Sequence, residues 1–253
     1  MKGEAKPPVA GIAKGAARTR SLPKRFYKEV TVVPEGDGVS VRLDGKPIRT
    51  PAKAPLVLPD AALAEAVAAE WRGQGERIDP ETMPLTKLAN STIDGVRGRE
   101  DAVQGDILRY AGSDLVCYRA EGPEGLVAAQ AKHWDPVLAF AAEALTAPLR
   151  LARGVVPVAQ PQASLEAIKQ RLAAFDAWGL AALHVLTGLT GSALLALAVA
   201  LGRLTPEEAW QAAHVDEDWQ ISQWGEDADA ADRRKRRRRD FEAAAHLLRL
   251  RQG

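Results

Sequence analysis

The sequence predicts an α+β protein: a small N-terminal antiparallel sheet with a covering helix, forming two layers, followed by a mostly α-helical bundle. Three observations carry this reading. Short β-like runs separated by turn signals crowd Tyr27 to Pro59, helix-period patterns dominate from about Arg99 onward, and Gly179 to Gly202 is apolar enough to form a bundle centre.

The strand candidates are YKEVTVVP, GVSVRL, KPIRTP and PLVLP, joined at Glu35 to Gly38 and at Asp44-Gly45. Asp-Gly is a strong hairpin signal because both residues tolerate positive φ. Val30, Val32, Val39, Val41 and Leu43 then supply a period-2 apolar face that needs a cover. The cover is the next element, in which Asp60 caps a helix, Gly73 ends it, and Leu63, Val67 and Trp71 share a stripe. The segment ERIDPETMPLTKLANSTIDGV reads as a structured connection that enters a helix after Pro84. Later strand signals are confined to DLVCYRA, Asp114 to Ala120, and RGVVPVAQP, Arg153 to Pro161. Helices are expected over Leu126 to Ala147 with a kink at Pro136, Ser164 to Leu186, Ser192 to Gly202, and from Thr205 onward. Thr205-Pro206-Glu207-Glu208 is a capping box. The resulting division is a basic, disordered tail at 1–23, an α+β domain at 24–97 and a helical domain at 98–253.

Composition narrows the function classes. Charged residues are 26% and the formal net charge is +1, which excludes a globally basic nucleic-acid coat. Cys117 is the only cysteine, so there is no internal disulfide, zinc ribbon or Cys-X-X-Cys redox pair. The first 25 residues lack an apolar h-region, against a secretory signal. Gly179 to Gly202 carries no Asp, Glu, Lys or Arg and imitates a membrane span, but TGLTGS splits it. Two buried helices meeting at a glycine turn are expected, without membrane insertion.

No phosphate loop, GxGxxG fingerprint, HExxH or GxSxG motif occurs. Asp216, Glu217 and Asp218 lack the spacing and glycine of a calcium loop. No catalytic residue, metal or cofactor is assigned on these patterns, and an enzyme with a carboxylate site at Asp216 to Asp218 is a further alternative. Seven consecutive bases, Arg233 to Arg239, follow seven acids between Asp216 and Asp232, so the two blocks nearly cancel. A helix over Asp227 to Leu250 would pair Asp229 with Arg233 and Asp232 with Arg236, and bury Phe241, Ala244, Ala245 and Leu248. A solvated charged helix is the reading preferred for the run, and a nucleic-acid-binding protein using it is the alternative function. DEDWQISQWGED stands apart, because a plain surface helix needs no tryptophan. Trp219 and Trp224 either mark a partner-binding surface or anchor the C-terminal helix to the core.

Eight segments in order, RFYKEV, LDGKPIRTP, EW at Glu70-Trp71, MPLTKLANSTID, DLVCYRA, QAKHWDP, GSALLALAVALG and DEDWQISQWGEDADA, resemble the assembly chaperone family for the alpha subunit of the F1 sector of ATP synthase. The likeness runs from about Lys24 to Phe241. It implies the α+β unit and an orthogonal helical bundle, in a factor of the bacterial cytoplasm or, in eukaryotes, the mitochondrial matrix. It further implies a non-enzyme that binds the unassembled alpha subunit and yields it to the beta subunit with no turnover of its own. Apart from the resemblance, the chain is read as a monomer with no stable nucleic-acid partner. The family's acidic, tryptophan-bearing motif falls on Glu217, Asp218, Gln220, Trp224 and Gly225. Trp71 and Trp219 are the further candidate anchors.

Overall fold

The computed structural model describes residues 22–153 and 158–251. Most of the basic tail read at 1–23 and the centre of RGVVPVAQP thus lie outside the described residues. Strands β1 (Val30–Glu35) and β2 (Gly38–Leu43) form a hairpin in the register Val30↔Leu43 and Val32↔Val41, which puts the expected apolar positions on one face. β3 (Lys46–Pro47) and β4 (Val57–Leu58) pair with different ends of β2. KPIRTP therefore contributes only two strand residues, since its prolines have no N–H to extend a ladder. Helix α1 (Ala61–Arg72) covers the sheet with Leu63, Ala64 and Val67 fully buried, and Asp60 accepts the Leu63 N–H at 2.8 Å as its cap.

Polar braces join this layer to the next helix. The Glu70 carboxylate accepts the N–H groups of Leu85 and Thr86, each at 2.7 Å, and the Thr86 hydroxyl, so it caps α2 (Pro84–Ser91) from a distance of 15 residues in sequence. Burial raises the Glu70 carboxyl above its ordinary range, and these hydrogen bonds oppose the rise. After α2, a π turn at Thr92–Val96 presents Asp94 to the Thr50 hydroxyl (2.6 Å) and the Ala52 N–H (3.1 Å).

The helical part comprises α3 (Glu100–Gly112), α4 (Glu124–Ala144), α5 (Gln162–Leu172), α6 (Ala177–Thr190), α7 (Ala193–Ala200), α8 (Pro206–Ala213), α9 (Val215–Trp224) and α10 (Ala228–Leu250). Three expectations change. DLVCYRA is mostly a 3₁₀ turn, Leu115–Cys117, and only Tyr118–Arg119 (β5) pairs, in parallel, with Ala152–Arg153 (β6). The single helix read over Ser164 to Leu186 is two, because the Asp176 carboxylate takes the Gly179 N–H at 2.8 Å and starts α6 afresh. The helix begun at Thr205 likewise ends at Ala213, and α9 follows as a separate element.

Helices α6 and α7 form the centre. Every residue of α7 is buried, and α6 packs against α3, α7 and α10. Gly191 closes α6 at φ +71, a left-handed value natural to glycine, and Ser192 caps α7 through the Leu195 N–H. With lengths of 14 and 8 residues, both fall short of the roughly 20 needed to span a bilayer. Among the described residues no helix is long and apolar enough to cross a membrane.

Asp114, fully buried, ties the periphery to this centre: one carboxylate oxygen accepts the Val116 N–H at 3.3 Å and the other the Leu194 N–H at 3.1 Å. Burial pushes its carboxyl up to about 6, against the hydrogen bonds that favour the charged form. A carboxyl raised in the fold stabilises most below its unfolded value near 4 and loses that contribution as pH rises through about 6. Asp114→Asn turns an amide donor toward one of the two N–H groups and is expected to cost about 1–3 kcal/mol. Urea melts from pH 4 to 8 check both points: the wild-type advantage over D114N shrinks as pH rises to about 6 and is flat above.

Candidate partner-binding site

The acidic, tryptophan-bearing segment forms α9, and neighbouring elements fix its first half. Upstream, the Thr205 capping box starts α8, whose Trp210 stacks on His214 at 3.9 Å between ring centroids. His214, buried at the joint between α8 and α9, lies 2.7 Å through Nδ1 from the Trp210 carbonyl, which only accepts, so Nδ1 carries the proton. Burial holds this imidazole below its ordinary range. From α4, buried Gln130 donates to Asp216 Oδ1 at 2.7 Å while accepting the Ala120 N–H, and the Trp134 indole donates to the Ala212 carbonyl at 2.7 Å. Trp219 lies on Gly125, so closely that a methyl group there would overlap its six-membered ring.

The structure divides the residues expected to form the site. Asp218 is ion-paired with Arg234 of α10 at 2.5 Å, and Glu217 comes within 3.9 Å of His214 Nε2 while remaining partly exposed. Gln220 is exposed. Trp224, at the last position of α9, is 88% exposed, which sets it apart from half-buried Trp219. The anchoring alternative therefore describes Trp219 and does not describe Trp224. Gly225 takes φ +85 and closes α9 through its N–H to the Ile221 carbonyl, so its place is structural, turning the chain toward α10. Trp71 sits elsewhere, on α1 against Tyr27, whose hydroxyl donates to the Trp71 carbonyl. Gln130 and Trp134 had no individual signal in the sequence beyond their place in QAKHWDP; their role needs a partner about 80 residues away.

The basic run serves mainly as an internal clamp. Arg234 meets Asp218, Lys235 meets Asp232, and Arg238 meets both Glu207 and Glu242. Arg237 donates to the Leu189 carbonyl and Arg239 to the Glu81 carbonyl. Neither expected i,i+4 pair, Asp229 with Arg233 or Asp232 with Arg236, forms. Tertiary acceptors for the neighbouring bases and the i,i+3 contact from Lys235 to Asp232 take precedence.

The family model described as ATP12 chaperone protein matches residues 24–142. The mitochondrial atp12 protein of Schizosaccharomyces pombe is 24% identical over 219 residues, covering 82% of this chain and 75% of its own. The crystal structure of the Atu1473 protein from Agrobacterium tumefaciens superposes with a TM-score of 0.87 at 50% identity, covering 90% of this chain and 86% of that one. The crystal structure of Atp12 from Paracoccus denitrificans gives 0.84 at 42% identity, over 90% and 98%. The chain belongs to the ATP12 chaperone family.

Gly125→Ala tests how α9 is seated. The added methyl has to displace the Trp219 ring, so a loss of about 1–3 kcal/mol and a shift of tryptophan emission are expected. Denaturant unfolding followed by fluorescence measures both, and an unchanged spectrum would place the ring elsewhere.

Proposed function

We propose that this chain binds the unassembled alpha subunit of the F1 sector of ATP synthase, keeps it from aggregating and releases it to the beta subunit. It does so as a monomer in the bacterial cytoplasm, with no turnover of its own and with the two-part organisation 24–97 and 98–253. Membership of a chaperone family supports the general class, and the likeness of the eight sequence segments supports the client.

The observation that carries the reading is the exposure of Trp224, 88%, on a helix whose preceding half is fixed by Gln130 and Gly125. An indole standing in water is costly apolar area, and truncating such a residue disturbs no core. The same helix carries Gln220, Glu217 and Asp218, polar groups that orient a partner without dominating its affinity. A lone subunit exposes a large apolar interface that aggregates unless masked. A rigid shelf with one aromatic anchor and a charged margin masks such a surface and still yields it to the permanent partner.

The alternative function, nucleic-acid binding through Arg233 to Arg239, gains no support, since five of those seven side chains already have protein acceptors.

The test mixes purified protein with unassembled alpha and beta subunits separately and follows light scattering and gel filtration. Selective protection of alpha, with release on adding beta, is expected. Trp224→Ala is expected to weaken capture by about thirtyfold, the effect of losing a hot-spot tryptophan worth about 2 kcal/mol, with an unchanged melting temperature. Glu217→Lys is expected to weaken it as well. A W224A protein that protects alpha as well as wild type would overturn the assignment of this surface.

A further inference from the structure

Helix α9 separates two grooves. One, of about 400 Å³, runs between α4 and α9, with Ala129, Val215 and Trp219 as apolar lining and His133 and Ser222 among its polar groups. The other, of about 370 Å³, lies between α8, α9 and α10 and holds Glu207, Arg234 and Arg238. Asp218 borders both. Its carboxylate receives Arg234 from the α10 side, yet its side chain remains 46% exposed against 19% for Arg234. A carboxylate offers about four lone-pair directions, so one guanidinium leaves room for a second donor.

We propose that the groove between α4 and α9 seats an apolar side chain of the client, and that an adjacent client arginine or lysine reaches Asp218 in place of, or beside, Arg234. The inference rests on the reading of α9 as the client surface. Charge complementarity selects the occupant: Asp218 is the acid at this groove, and the internal arginine already bound to it shows which head group its carboxylate accepts. Gly125 and Val215 fix the walls, since Trp219 is pressed onto the first and the second is buried in the core. Arg234 then competes with the client. Exchanging one guanidinium for another leaves the number of ion pairs unchanged, so the contact adds selectivity without holding the client irreversibly.

Four full-length variants test this against unassembled alpha subunit by calorimetry or interferometry, beside thermal melts. Ser222→Trp and Gln211→Trp fill the groove from opposite sides, on α9 and α8. Both positions are exposed, and a variant that retains the wild-type melting temperature reads binding alone; Gln211 also borders the second groove, so Ser222→Trp decides where the two fillers differ. Each folded filler is expected to weaken binding at least about tenfold. Asp218→Asn is expected to weaken it by a similar factor, and Arg234→Gln, which frees Asp218, to tighten it by about three- to tenfold. Wild-type binding by a folded filler would remove the groove as the seat. An R234Q protein as weak as D218N would make Arg234 a support for Asp218 and overturn the competition. If W224A loses the client while the fillers do not, only this inference fails; if wild type captures no alpha subunit, the client reading fails with it.

Discussion

The rest of the molecule is arranged around an apolar helix pair that cannot meet water. Every residue of α7 and most of α6 are buried, so other elements must cover them on all sides. Asp114 is the polar residue that makes this cover specific. It caps the 3₁₀ turn after α3 and, with the same carboxylate, holds the N-terminus of α7, at the price of a charge that burial disfavours. An apolar pair alone would accept several packings, whereas a buried carboxylate with two required donors accepts few.

α10 closes the assembly from outside. Its apolar stripe, including Phe241, Ala244 and Leu248, lies in the core, and its ends are fixed by charge. At the C-terminal end Arg251 bridges Asp60 and Asp176 at 2.7 and 2.9 Å. Each of these acids already caps a helix, α1 and α6, so one guanidinium gathers three helix ends. At mid-helix Asp240 meets Lys87 of α2 at 3.1 Å. These contacts are partly exposed and individually weak, but together they set the position of the N-terminal sheet on the bundle.

α9 shows the same division between held and free. Its first half is fixed by Gln130 and by the seating of Trp219 on Gly125, and Arg234 pairs with its flank, while Trp224 stands in solvent at the far end. This order suits the proposed function: an anchor presented on rigid backbone loses little entropy on contact, and an exposed margin would let a stronger partner replace it. The segment DEDWQISQWGED thus has two kinds of residue: Asp216 and Gly225 seat and end α9, while Gln220 and Trp224 stand exposed on it.

The sequence by itself determined whatever rests on local periodicity and capping. The β1–β2 hairpin, the α1 cover, the glycine break after Thr190, the Thr205 capping box and the buried stripe of α10 were all legible, because each is decided within a few residues. So was the separateness of DEDWQISQWGED from an ordinary surface helix. The sequence did not show the break at Asp176 or the shortness of the Tyr118–Arg119 strand, where a cap or a long-range pairing overrides local pattern. Only the tertiary structure decided which tryptophan anchors and which is exposed, since Trp219 and Trp224 have similar neighbours and differ by whether Gly125 of α4 lies beneath the ring. It also decided the fate of the basic run. Seven like charges in a row state only that the segment is polar; whether each meets solvent or an acceptor such as Asp218 or Glu207 depends on helices that the chain brings together from far apart.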